Sequence, residues 1–280
     1  MSLFYNGEAS KYLSQFCAKE LPLPSTTNIL QHFGMKIEIT NQDLLHSFMV
    51  YLVLPIFLFN LMTVWMVPFL LRVFPNKRQQ TLLLSKDKKV FELNQRLIRG
   101  FLASSIAIHS AYYTFFSKSD PIPGANYILV SSSFFHLSDT IILYLYRSSD
   151  KTMVVHHLIV IILSWVLMIV RKSLSVAIVA STNDILVPIS TILSWLYSYN
   201  LQNTFFNLFC SVLSVLILVF YRMPSNTYLA YTIIGKSDYS IYPVALLLAG
   251  IVFLEIKWAR SLIKICMKNF NVLLYSKKVK

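Results

Sequence analysis

Two long apolar runs joined by only five polar residues constrain this chain more than any other feature. Residues Ser131 to Tyr146 and Thr152 to Val170 flank the segment Arg147-Ser-Ser-Asp-Lys151. So short a joint makes the two runs antiparallel neighbours if both are helices. The first run carries His136 and Asp139, and the second opens with His156 and His157. At about 1.5 Å per residue, Asp139 lies about 12 Å from the joint and His157 about 9 Å. The two can therefore meet. An Asp near the centre of a bilayer costs about 2.5–3.5 kcal/mol on insertion scales, so it is expected to face a bundle interior and to have a partner.

Composition decides that the setting is a membrane. Of 280 residues, 56% are hydrophobic and 13% charged, and the mean hydropathy is +0.59. This predicts an all-α polytopic membrane protein. A net charge of +13 would suggest nucleic acid in a soluble protein. Here the basic residues gather beside apolar spans, as membrane orientation requires, and no nucleic-acid partner is expected. Cys17, Cys210 and Cys266 are too scattered for a disulfide framework or a cysteine zinc site.

Residues 1–43 read as an extramembrane segment, since Pro22 and Pro24 interrupt any long helix. A first span is expected over about 44–72, with Pro55 and Pro68 inside it. A basic loop, Arg72 to Arg99, follows. Further spans are expected at about Gly100–Ser117, Tyr127–Tyr146, Met153–Val170, Leu174–Leu196, Phe205–Tyr221 and Ile241–Ile265, with a basic tail over 269–280. The fifth contains Asp184 and, four residues on, Pro188. A proline leaves the carbonyl four residues back without its helical partner, so this span offers a carboxylate and a freed carbonyl at one level. Seventeen Lys/Arg on one side against eight on the other place the C-terminus in the cytosol and the N-terminus in the lumen.

The polar set admits several chemistries. Ser132, His136 and Asp139 share a helix face in the order of a hydrolase triad, yet nothing resembles a nucleophile elbow. His109, His136, Asp139, His156 and His157 could ligate zinc, but adjacent helical residues point about 100° apart, which suits one metal poorly. No metal is expected. A histidine pair beside a carboxylate suits proton transfer, and one imidazole could carry an acyl group. Among apolar helices the plausible substrate is the head of a long-chain lipid or an acyl thioester.

Several short motifs resemble the TLC-domain family. They are Asp139; Asp150-Lys151 with His156-His157; Leu93-Asn94-x-Arg96 with His109-Ser110-Ala111; Asp184-x3-Pro188; and Arg222-Met-Pro224. The resemblance covers residues 88–268 and is closest to the small TLC-domain proteins tied to lipid handling, rather than to true ceramide synthases. It implies a six-helix core, spans two to seven, preceded by one extra helix. It also assigns His156 and His157 to the active site. The cost of facing lipid and matching depths predict that Asp139 and Asp184 join them in one pocket, with His109 and His136 on the substrate side. Acyl-CoA is the implied co-substrate if the chain is an enzyme of ceramide synthase type. The expected role is lipid homeostasis in the endoplasmic reticulum membrane, with membrane lipids as partners. The alternatives are a sphingoid N-acyltransferase and a cargo receptor without catalysis. Lys277 and Lys278 resemble a cytosolic dilysine retrieval signal of the kind read by the COPI coat.

Overall fold

The computed structural model describes residues 39–63, 88–116, 122–145, 151–170, 174–198, 204–234 and 242–278. These residues are helical almost throughout, and none of them lies in a strand. The all-α polytopic class follows, with seven helical rods among the described residues. Helix α1 is Asn41–Leu61, α2 is Lys88–Ala111, α3 is Ile122–Leu145 and α4 is Lys151–Val170. Helix α5 is made of Leu174–Ser181, a 3-10 turn at Thr182–Ile185, and Leu186–Ser198. Helix α6 spans Phe205–Tyr231 and α7 runs Tyr242–Lys278.

Five of the seven, α1, α3, α4, α6 and α7, are long and apolar enough to cross a membrane. The exceptions are instructive. Helix α2 spends its first turns on polar and basic residues, and the apolar part of α5 is only Ile178–Ser194.

Six helices close into a ring in the order α2, α3, α4, α7, α6, α5 and back to α2, while α1 packs outside against α3 and α2. Helix α3 is the most enclosed: 67% of its apolar window is buried, against 22–33% for the other candidate spans. Small side chains make that possible, with Gly124, Ala125, Ser131, Ser132, Ser133 and Ser138 all buried along it. At Gly124 a Cβ would run into the Tyr113 ring, so a larger residue there requires that ring to move. Helix α1 is fixed by side-chain hydrogen bonds from Ser47 to Ser131 (2.9 Å) and Tyr51 to Ser105 (3.1 Å).

Prolines leave their mark on three helices. Helix α1 widens into a π turn at Met49–Val53, immediately before Pro55, and α6 does the same at Ile217–Arg222, before Pro224. In each case the wider turn accommodates a proline that has no N–H to offer the ladder. In α5 the adjustment goes the other way, to the 3-10 turn ahead of Pro188.

Three expected boundaries need correction. The second helix begins at Lys88, not Gly100, so Asn94, Gln95, Arg96 and Arg99 are helical and not part of a basic loop. Nothing in that stretch breaks a helix, and Asn94, Gln95, Ile98 and Leu102 form its buried face. The sixth helix continues through Pro224, so Arg222 is buried inside it and does not close it. The seventh runs on to Lys278, absorbing most of the expected tail, Lys277 and Lys278 included. Most of the expected N-terminal segment and basic loop, together with Pro68, lies outside the described residues.

Candidate functional site

The ring encloses a cavity of about 660 Å³ to which six helices contribute. Two ion-pair nodes and a group of three imidazoles build its polar wall.

The first node is Asp139 on α3. Gln95 on α2 donates to its Oδ1 at 2.5 Å. Its Oδ2 pairs with Arg99 Nε at 2.8 Å and lies 3.2 Å from His157 Nε2, although neither contact is aligned as a hydrogen bond. The expected meeting of Asp139 with a histidine of the next helix is therefore present, and it is His157 that makes it. His157 Nδ1 lies 3.0 Å from the Thr140 hydroxyl, which itself donates to the His136 carbonyl. Both ring nitrogens of His157 are thus engaged.

The second node joins α6 and α7. Arg222 Nε donates to Glu255 Oε1 at 2.6 Å, and Asn226 donates to the same oxygen at 2.9 Å. Glu255 has no measurable exposure. The helix irregularities feed this node, because Arg222 Nη1 donates to the Asn183 carbonyl (3.3 Å) in the 3-10 turn. The carbonyl put to use is therefore that of Asn183, one residue before Asp184. Asn183 Nδ2 also donates to Asn226 (2.9 Å), and Thr182 shares a hydrogen bond with Tyr221 (2.6 Å).

Between the nodes the rings of His136, His156 and His157 form a triangle with centroid separations of 5.2, 5.8 and 5.8 Å. Here His136 Nδ1 sits 2.7 Å from the Ser132 carbonyl, which makes it the donor and leaves Nε2 as the acceptor. His156 differs from both neighbours. It packs edge-on against Trp258 at 5.0 Å, and its buried Nδ1 has no hydrogen-bond partner. Among the described residues no group of three His, Cys, Asp or Glu side chains is arranged to hold a metal ion.

Of the residues expected at the site, His136, His156, His157 and Asp184 line the cavity, and Asp139 stands behind His157. His109 does not join them. It is exposed, bonded to its own Ser105 carbonyl (2.8 Å), with its ring 6.4 Å from Tyr127 near α1. Lys277 and Lys278 belong to the last turn of α7.

Gln95, Arg99, Glu255 and Trp258 were not anticipated as site residues. Glu255 carried the signal that had marked Asp139: a lone acid in an apolar run, here Val244 to Ile256. Arg99 was masked by the basic residues before it.

No family model matches this chain, and no curated protein matches it.

Proposed function

We propose that this chain is a membrane protein of lipid homeostasis that takes the polar end of a long-chain acyl lipid into the cavity of its six-helix ring. The observation that carries the reading is the pairing of that cavity with a buried, unpartnered His156 nitrogen. A pocket of this size falls within the range of small-ligand sites, roughly 300–1,000 Å³. Its wall mixes Phe135, Leu143, Met153 and Leu262 with Arg99 and Arg222, the guanidinium of each node. An aqueous solute would not need the former, and a bare acyl chain would not need the latter.

A second reading, acyl transfer of the ceramide synthase type, is favoured by the state of the two histidines. His157 is held on both sides, whereas His156 keeps a nitrogen able to take a proton. As the amine attacks an acyl thioester carbonyl, the N–C bond forms, the C–S bond breaks and the amine's proton passes to His156, to be returned to the leaving thiolate. In this reading His157, Asp139 and Asp184 are the remaining members of the site, and acyl-CoA is the donor.

We place the chain in the endoplasmic reticulum, with its C-terminus cytosolic, on the basic excess at that end and the Lys277-Lys278 pair. The deciding experiment is lipidomics of a strain lacking the chain and rescued with wild type, His156→Ala or His157→Ala. Loss of the lipid effect in His156→Ala at undiminished protein level is expected. Full rescue by a double His→Ala protein would leave a cargo-receptor role as the better description.

A further inference from the structure

The last helix is longer than a bilayer requires. At about 1.5 Å per residue, the 37 residues of α7 reach about 55 Å, against an apolar core of about 30 Å. Its register against α4 shows which part is surplus. Gly250 faces Ile159, and Lys257 Nζ donates to the Thr152 hydroxyl at 3.0 Å. The two helices are therefore antiparallel, and α4 begins at Lys151, immediately before Thr152. From Lys257 onward α7 runs past the α3–α4 joint.

Over that stretch the outward half of the helix is divided lengthwise. Its inner side is anchored: Ala259 and Asn269 are buried, and Asn269 donates to Ser211 on α6 (2.6 Å). Ile256, Ile263, Met267 and Phe270 are exposed, and at about 100° per residue they fall within an arc of about 60°. Lys257, Arg260, Lys264 and Lys268 are exposed too, and they occupy the adjoining arc, about 80° wide. No Asp or Glu follows Glu255 in the sequence. None of the described carboxylates pairs with the four basic side chains.

Basic residues after a span serve as orientation signals, and that role needs no particular helix face. A lengthwise division is different. A surface wholly in hydrocarbon would be apolar all round, and one wholly in water would not keep four large apolar side chains in one strip. Parallel apolar and basic strips match the two parts of a phospholipid, since Lys and Arg give charge-assisted hydrogen bonds to phosphate oxygens. We propose that the outward face of residues 256–270 is a binding site for an anionic phospholipid of the leaflet beside the α3–α4 joint. Its phosphate lies on Arg260, Lys264 and Lys268, and its acyl chains run back along Ile263 and Ile256 towards the membrane centre. The site lies outside the cavity, which the same stretch lines from its inner side through Trp258 and Leu262. It does not depend on what the cavity holds.

The test uses the full-length protein in detergent and labelled dioctanoyl phosphatidylglycerol. The competitors are unlabelled dioctanoyl phosphatidylglycerol, dioctanoyl phosphatidylcholine, which has no net charge, and glycerol phosphate, which has the anion without the chains. Phosphatidylglycerol is expected to bind at least about fivefold more tightly than phosphatidylcholine and to lose that margin in high salt. Glycerol phosphate should compete poorly. The double change Lys264→Gln with Lys268→Gln should bring phosphatidylglycerol down to the phosphatidylcholine level and leave phosphatidylcholine binding unchanged. Lys264→Arg with Lys268→Arg should keep the margin. Should the glutamine protein fail to fold, the two single variants, each expected to lose part of the margin, take its place. Equal binding of the two lipids by wild type, or a margin that survives the glutamine changes in folded protein, overturns the site. Glycerol phosphate competing as well as the lipid overturns it too, because the face would then be a site for free phosphate.

Discussion

Adjacent residues on a helix point about 100° apart, and His156 and His157 show how far that separates their circumstances. His157 turns to α3 and is clamped between Asp139 and Thr140, while His156 turns to Trp258 on α7 and keeps a free nitrogen. Their alanine variants should therefore fail differently. His157→Ala removes the imidazole packed against the buried Asp139 carboxylate and is expected to lower the melting temperature in detergent. Polar contacts between membrane helices measure about 0.6–2 kcal/mol. His156→Ala should melt close to wild type and lose the lipid effect. Reversed outcomes for the two variants would exchange their assigned roles. At the second node, Glu255→Ala strands the Arg222 guanidinium and should reduce abundance sharply, whereas Glu255→Gln keeps an acceptor for it and should be milder. Quantitative blotting of the two variants separates these expectations, and equal levels would remove the node from the stability account.

At the scale of the element, the packing of α3 against the π turn that follows α2, Tyr112–Phe116, rests on Gly124. A valine there drives its Cβ into the Tyr113 ring and should cost about 1–3 kcal/mol as overpacking. Recovery of the melting temperature in Gly124→Val with Tyr113→Ala would confirm the cause, and a neutral single variant would refute it. Which helices were legible in advance has a physical explanation. Helices α3 and α4 announce themselves because their apolar runs end at charged residues. Helix α2 hid its start because its buried face carries Asn94 and Gln95, which a search for apolar runs discards. The Asp139–His157 contact was legible because two equal depths and a short joint suffice to imply it. The Arg222–Glu255 node was not, because it joins helices whose register depends on a π turn that no local pattern reveals. His109 was misplaced for a simpler reason. It has the residue type of a site member, yet its side chain points out of the ring.

For the molecule as a whole, moving Arg96 and Arg99 into α2 and Arg222 into α6 removes three charges from the loops that set orientation. The excess of Lys/Arg still falls on the side of the C-terminus. Cysteines introduced at Lys88 and Ser276 should react with an impermeant thiol reagent applied from the cytosol, and one at Lys236 should not. Labelling of the Lys236 position from that side would invert part of the topology. Replacing Lys277 and Lys278 by serine should release an N-terminally tagged protein to later compartments, and unchanged residence would leave the pair without a sorting role.

The ring closes between α4 and α7, not between helices that follow one another. During synthesis this leaves an interval in which six helices have been made and the cavity does not yet exist. Arg222 has been delivered to the membrane without Glu255, which lies 33 residues further along the chain. His156 likewise has no Trp258 beside it. For that interval Arg222 lacks the carboxylate to which it donates, so completion of the chain and burial of the site are one event. A chain stopped before Tyr242 should accordingly be short-lived, and an Arg222→Leu change should prolong its lifetime.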